Sequence, residues 1–330
     1  MSHTGRCPLD FEVWPEAIEL GRLFAEQGYE LALVGGPVRD LLLHRKSHDL
    51  DFCSSARPEQ FEPILRRWGH DGFWDMGRKF GTLGAMRRRA DGTEVKVEVT
   101  TYRSDTYDPD SRKPEVNYGD TLEGDLSRRD FTVNAMALRV PDLEFVDPFG
   151  GASDLAKGVL RTPVDPSQSF DDDPLRMMRA VRFVAQLGFS IAPDAAEAIS
   201  SMRDRIEIVS AERVRDELTK MLLSDRPRAG LEALVESGLA DIVFPEIPAL
   251  QLQIDEHHRH KDVFEHTMIV LDRAFALETG PDGPVPAPDL TLRLAAVMHD
   301  IGKPKTRRFE PGGKVSFHHH DAVGAKMTRK

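Results

Sequence analysis

Two aspartates one residue apart, Asp49 and Asp51, stand thirteen positions after the pair Gly35-Gly36. If this stretch is a strand, positions i and i+2 share a face and both carboxylates project together. Aligned carboxylates repel unless a cation lies between them, and hard oxygen donors suit Mg²⁺. Taken alone, an Asp-x-Asp is equally a solvated strand edge. Upstream, the apolar run Leu31 to Val34 is closed by Gly35-Gly36, with Pro37 placed to open a helix. Glycines between a strand and a helix start let backbone N–H groups approach an anion closely, although such a pair is also an ordinary turn. Arg39 and Asp40 fall in the first turn of that helix. Glycine turn, helix and acidic pair in that order point to phosphate and metal chemistry. Glu98 lies on the polar side of a second alternation, Val95, Val97 and Val99 against Glu94, Lys96 and Glu98. It is either a surface strand residue or a third carboxylate. Such a cluster suits nucleotidyl transfer, in which one metal activates the attacking hydroxyl and another holds the triphosphate and the leaving pyrophosphate.

A second ligating set lies between His266 and His320. His299-Asp300 follows the apolar stretch Leu292 to Met298 and precedes Ile301-Gly302-Lys303-Pro304. Adjacent His and Asp at a helix end bind one divalent ion when another imidazole arrives, and His266 on the preceding helix is the candidate. Alone, His299 reads as a core histidine, and His318-His319-His320 as a solvated loop. His257, His258 and His260 sit in a polar stretch and take no role.

The elements that must position these groups divide the chain into an α+β front and an all-helical back. The front holds a helix over 15–28 and the strands around Leu31–Val34, Asp49–Phe52 and Glu94–Val99. From Ser104 to Arg129 the sequence turns polar and loop-like, with Pro109, Pro114, Gly119 and Gly124; a loop of that length usually has a function. After Pro166 strand signals almost vanish. Helical spacing predicts helices over 174–187, 194–203, 211–223, 228–237, 262–277 and 289–300. Pro174 suits a first helical position, so Asp172 and Asp173 precede it near the cap and Arg176 lies on the first turn. The 330 residues carry 44 basic and 55 acidic side chains, a formal net charge of −11. No bulk positive field marks a nucleic-acid binder, so a polyanionic substrate needs a local basic surface or a metal. Cys7 and Cys53 are too few for a disulfide framework and suit a reducing cytosol. No apolar run reaches the roughly 18 residues of a membrane helix, and residues 1–15 lack a signal-peptide apolar segment. A cytoplasmic protein without membrane contact is expected.

The stretch Leu33 to Phe52, LVGGPVRDLLLHRKSHDLDF, resembles the signature of class II tRNA nucleotidyltransferases, the CCA-adding enzymes, and of their bacterial poly(A) polymerase relatives. Arg128 to Ala137, RRDFTVNAMA, is similar to the second motif of that family; read from residues alone it is a basic pair before a small apolar helix. Asp147-Pro148-Phe149-Gly150-Gly151 with Asp154-Leu155 resembles the hinge motif between head and neck. DDPLRMMRAVRF from Asp172 resembles the base-selecting motif, with Asp172 where the family usually has Glu, and Ser210 to Leu218 resembles the fifth.

The resemblance implies a polymerase-β-like nucleotidyltransferase head with a mixed β-sheet over 1–155, an all-α neck for base selection and RNA binding over 156–250, and an HD-type helical region over 251–330. It implies that Asp49 and Asp51 hold Mg²⁺, and that Gly35, Gly36 and Arg39 contact the triphosphate, with Asp40 beside them. Arg129, Asp130 and Asn134 then contact triphosphate and ribose, and Asp173, Arg176 and Arg179 belong to the base-selecting set. The segment 104–127, with Asp105, Tyr107, Asp110, Arg112 and Lys113-Pro114, corresponds to the flexible loop linked to the change from C to A addition and is not shortened as in CC-only enzymes. On the HD comparison His266, His299 and Asp300 hold a second divalent transition metal, with His320 nearby. That family draws a further Asp from a later helix, and this chain ends at Lys330, so an incomplete HD region is expected.

The implied activity is template-independent rebuilding of the CCA end of tRNA from CTP and ATP. A bacterial poly(A) polymerase is the nearest alternative. An HD phosphohydrolase acting on RNA ends, and a non-catalytic RNA-binding module, are the readings from other classes. Carboxylates placed against phosphate are a liability for the module and a metal seat for the enzyme.

Overall fold

The computed structural model describes residues 3–6, 14–45, 49–103, 119, 121–251, 262–278, 285–311 and 315–329. The loop segment 104–118, Cys7 and the histidines at 257, 258 and 260 lie outside the described residues. The chain divides into two compact units, 1–172 and 173–330.

The first unit is built on one eight-stranded sheet. Its strands are β1 (His3–Arg6), β2 (Leu31–Val34), β3 (Asp49–Ser54), β4 (Gly72–Trp74), β5 (Thr82–Arg88), β6 (Glu94–Thr101), β7 (Ala137–Val140) and β8 (Glu144–Asp147). Their spatial order is β1-β8-β7-β2-β3-β6-β5-β4. Every neighbouring pair is antiparallel except β3 and β6, which run parallel. The sheet is therefore mixed, as expected.

Helices α1 (Pro15–Ala25), α2 (Gly36–Leu42), α3 (Pro58–Trp68), α4 (Leu122–Ser127), α5 (Gly151–Lys157) and α6 (Pro166–Asp172) complete this unit. Ala17, Leu20, Gly21 and Phe24 of α1 recur at helical spacing and are buried, as are Phe61, Leu65 and Trp68 of α3. The Phe24 and Phe61 rings lie 6.0 Å apart. The alternation in β3 and β6 then decides the site. Leu50 and Phe52, like Val95, Val97 and Val99, are buried, while Asp49, Asp51 and Glu98 project from the opposite face of the sheet. A second apolar cluster, with Ala32, Val34, Cys53, Tyr102, Leu122, Leu126 and Ala137, is buried beside α4.

Two sequence expectations change here. Residues 122–127, read as loop, form α4, because Thr121 Oγ1 accepts the Gly124 N–H at 3.2 Å as a helix cap. Residues 131–137, read as a small apolar helix, form a single 3₁₀ turn over Thr132–Asn134 and then enter β7.

The second unit is dominated by helices: α7 (Leu175–Leu187), α8 (Pro193–Met202), α9 (Ala211–Leu222), α10 (Pro227–Glu236), α11 (Ala240–Val243), α12 (Val263–Leu277), α13 (Leu290–Met298), α14 (Lys303–Thr306) and α15 (His320–Thr328). Helix α7 packs against α9 and α10, and its Arg182 forms a buried ion pair with Glu217 of α9. Arg293, 2% exposed, pairs with Glu278 and donates to the carbonyls of Leu222 and Ser224, tying α13 to the end of α9. Among the described residues no helix is long and apolar enough to cross a membrane.

Candidate active site

The parallel register of β3 and β6 sets Asp51 opposite Glu98 and Asp49 opposite Lys96. Neighbouring strands are about 4.8 Å apart, so Asp51 and Glu98 are close like charges. The Asp51 carboxyl is held above its ordinary value. Desolvation contributes most, Glu98 and then Asp49 add repulsion, and the Arg129 guanidinium opposes them. Three carboxylates on adjoining strands under mutual repulsion are a donor set that divalent cations satisfy. Glu98 also accepts a hydrogen bond at 3.2 Å from the indole N–H of Trp74 on β4.

Arg129 reaches the site from the end of α4. Its guanidinium donates to Asp125 at 3.1 Å, and Asp125 is 3% exposed. Gly35, between β2 and α2, has φ of +73°, and a Cβ there would lie 3.0 Å from Arg129 Nη1. Glycine serves here on both counts, as a left-handed residue and as one without a side chain. The turn is thus edged by a guanidinium that also acts on Asp51.

The two sequence motifs of the first unit meet through side chains. Arg39 of α2 donates to Asn134 Oδ1 at 2.8 Å and twice to Asp40 Oδ1, at 2.9 and 2.8 Å. Asn134 Nδ2 in turn donates to Asp130 Oδ1 at 3.0 Å, which also accepts the Phe131 N–H at 2.8 Å. Asp130 and Asn134 are buried. Arg39, Asp40, Asp130 and Asn134 therefore form one linked set, with Arg129 next to it in sequence.

In the second unit Asp173 Oδ1 accepts the Leu175 N–H at 3.2 Å, and Asp173 Oδ2 lies 3.3 Å from Arg213 of α9. Asp172, expected at the same cap, instead ends α6 and accepts from Gln168 Nε2 at 2.7 Å. Arg176 is buried on the first turn of α7, and the Arg179 guanidinium lies 5.7 Å from the Phe183 ring centroid. Arg213, Asp125 and Trp74 escaped the residue-level reading. Arg213 did stand inside the recognised stretch from Ser210, but nothing in that stretch says that it reaches Asp173.

His266, His299 and Asp300 come together, with one ligand atom of each within 4.8 Å of the others. His299 Nε2 is 3.0 Å from Asp300 Oδ2, His320 Nε2 is 3.6 Å from Oδ1, and Lys303 Nζ is 2.9 Å from Oδ2. Burial works to raise the Asp300 carboxyl, but hydrogen bonds from His299 and Lys303 outweigh it and bring it down to about 2. Two imidazoles and a carboxylate are a donor set for a divalent transition metal.

Three family models match the chain. They are the Poly A polymerase head domain over residues 31–161, the probable RNA and SrmB-binding site of polymerase A over 188–250, and the HD domain over 263–330. The CCA-adding enzyme of Lactobacillus johnsonii is 37% identical over 233 residues, 70% of this chain and 56% of that protein. That of Bacillus subtilis is 36% identical over 238 residues, 72% of this chain and 56% of that protein. The chain thus spans little more than half the length of these curated relatives. Among solved structures, the Bacillus stearothermophilus CCA-adding enzyme in complex with CTP is similar, with a TM-score of 0.62 and 32% identity, covering 80% of this chain and 62% of that one. A tRNA nucleotidyltransferase complexed with a primer tRNA and an incoming ATP analog matches with a TM-score of 0.58 and 25% identity, covering 76% of this chain and 74% of that one.

Proposed function

We infer that this chain, which belongs to the poly(A) polymerase and CCA-adding enzyme family, adds C and A to the 3′ end of tRNA from CTP and ATP without a nucleic-acid template. One observation carries the reading: the Asp51–Glu98 register lies beside Asp49, with Arg129 serving both these carboxylates and the Gly35 turn. Asp49, Asp51 and Glu98 would hold divalent ions, Mg²⁺ in this reading, which activate the 3′ hydroxyl and neutralise the triphosphate. The backbone of Gly35 and Gly36 binds phosphate oxygens, and Arg129 and Arg39 add positive charge there, each held in place by a carboxylate or amide. Asp130 and Asn134 orient the ribose side of the nucleotide. Asp173, Arg176 and Arg179 read the base edge.

In this reading residues 1–155 are the catalytic head, 156–250 the neck that binds tRNA, and 251–330 an HD-type region. The acidic net charge of −11 fits metal rather than lysine as the main counter-charge to the triphosphate. A cytoplasmic setting, which a chain with two cysteines suits, belongs to the same reading. The test is incubation of the chain with tRNA lacking its CCA end, Mg²⁺ and each nucleotide separately and together, followed by sequencing of the product 3′ end. The expected product ends in CCA. Long tracts of A from ATP alone would identify a poly(A) polymerase instead, and an absence of incorporation with release of phosphate from RNA ends would favour the HD site.

The HD residues are given a separate role: His266, His299 and Asp300 would hold a divalent transition metal for phosphohydrolysis. His299→Ala is therefore expected to leave nucleotide incorporation within about twofold of the parent, since it removes no group from the transfer site. It should abolish any phosphatase or cyclic phosphodiesterase activity. A large fall in incorporation at unchanged melting temperature would show that the two sites are coupled.

A further inference from the structure

Trp74, Gly84, Glu98 and Asp51 stand in one row across four strands. Trp74 of β4 is opposite Gly84 of β5, Gly84 is opposite Glu98 of β6, and Glu98 is opposite Asp51 of β3. Two strand spacings, about 9–10 Å, separate Trp74 from Glu98. The indole spans them by lying across Gly84, where a Cβ would come within 2.0 Å of its ring carbon Cε2 and 2.2 Å of Nε1. Any other residue at position 84 would block that path. The absence of a side chain on the intervening strand and the hydrogen bond to Glu98 Oε1 are therefore two halves of one arrangement.

We propose that Trp74 is a positioning residue for the transfer reaction, which holds Glu98 through one carboxylate oxygen and leaves the other for the metal seat shared with Asp51. The proposal rests on the reading of Glu98 as a metal-holding carboxylate. A free Glu side chain on an open sheet face samples several rotamers, and fixing it costs entropy each time a ligand binds. An indole N–H has one direction and no acceptor function, so it orients the carboxylate without competing for a cation. Among the described residues Glu98 Oε2 accepts no hydrogen bond. Groups that orient ligand side chains from behind commonly govern metal affinity by about 10- to 100-fold when removed.

The test measures binding of Mn²⁺ in the absence of nucleotide, by loss of the free-ion paramagnetic resonance signal, alongside incorporation kinetics and melting temperature. Four variants are compared with the parent: Trp74→Phe, Gly84→Ala, Glu98→Gln and the double Trp74→Phe/Glu98→Gln. Trp74→Phe keeps an aromatic ring over Gly84 and removes the donor, whereas Gly84→Ala displaces the intact indole. Each is expected to weaken Mn²⁺ binding by about 10-fold and to raise the Mg²⁺ concentration for half-maximal incorporation; melting temperature should change little in Trp74→Phe and fall in Gly84→Ala, where the indole has to move. The double variant should bind Mn²⁺ no more weakly than Glu98→Gln alone, because the indole acts only through that carboxylate. Additive losses, or parent-like Mn²⁺ binding in both Trp74→Phe and Gly84→Ala while Glu98→Gln is impaired, would overturn the proposal and leave the transfer reading intact. Parent-like Mn²⁺ binding and turnover in Glu98→Gln would instead remove Glu98 from the site, and the proposal with it. If Trp74→Phe unfolds, Gly84→Ala decides.

Discussion

Asp51→Asn is expected to reduce nucleotide incorporation on the order of 10³-fold or more, the scale on which loss of a catalytic group acts, while the fold becomes no less stable. Asp49→Ala should do the same to activity. The stability half follows from the sign of the Asp51 shift. Its carboxyl is raised in the fold by desolvation first and by Glu98 next, so the folded chain binds that proton more tightly than the unfolded chain does. Ionisation of Asp51 therefore subtracts from stability at neutral pH, and the loss is relieved as pH falls through the raised value. Asparagine keeps the shape and removes the charge. Its melting temperature should equal or exceed the parent's at pH 7, with the difference closing toward acidic pH. Turnover equal to the parent's at saturating Mg²⁺ would sink the assignment, and a lower melting temperature at neutral pH would show that Asp51 is an ordinary structural group.

Base choice should collapse when Asp173 or Arg176 is replaced by alanine. An ionised Asp only accepts hydrogen bonds and an Arg only donates them. Cytosine offers a donor N4 amine beside the acceptor N3, and adenine a donor N6 amine beside the acceptor N1, so both fit an Asp/Arg pair. Uracil and guanine present an acceptor oxygen beside an N–H donor, and both contacts fail. Each unpaired buried polar group costs about 1–3 kcal/mol, so two mismatches reject the wrong nucleotide by about 30-fold to 10⁴-fold. The structure adds two conditions that favour this use. Arg176 is only 6% exposed, and Asp173 is braced by the Leu175 N–H and by Arg213. Relative incorporation efficiency for all four nucleotides is the measurement. Variants that slow every nucleotide equally and keep the C and A preference would reduce the pair to a helix cap.

Much of the first unit was legible because its chemistry follows local periodicity. Asp49 and Asp51 alternate with Leu50 and Phe52, and Glu98 alternates with Val97 and Val99, so strand identity and polar face follow together. The Gly35 turn was legible because a left-handed backbone leaves a glycine as its trace. What escaped depends on partners distant in the chain. That Glu98 faces Asp51 rather than another residue is a matter of parallel register, which no local pattern encodes. Trp74 finds Glu98 across a third strand, 24 residues away. Residues 131–137 carry helical composition, yet Asp130 takes the Phe131 N–H and the open side of β2 recruits Ala137–Val140 into the sheet. Tertiary pairing there overrides local preference.

The position of β7 has a consequence for the order in which the head can form. Strands β2, β3 and β6 have all been synthesised once residue 101 is made, well before β7, so the carboxylates and the glycine turn are in place early. The second edge of β2, however, pairs only with Ala137–Val140, and Arg39 meets Asn134 only after a further 95 residues of chain. Until then a buried-type apolar strand, Leu31 to Val34, presents a row of unpaired backbone groups, the kind of edge that recruits other chains. The nascent first unit is thus most vulnerable to aggregation after Asp49, Asp51 and Glu98 have been made and before Arg39 finds Asn134. Closing that edge depends on a long-range pairing, which places the first unit among slowly folding topologies.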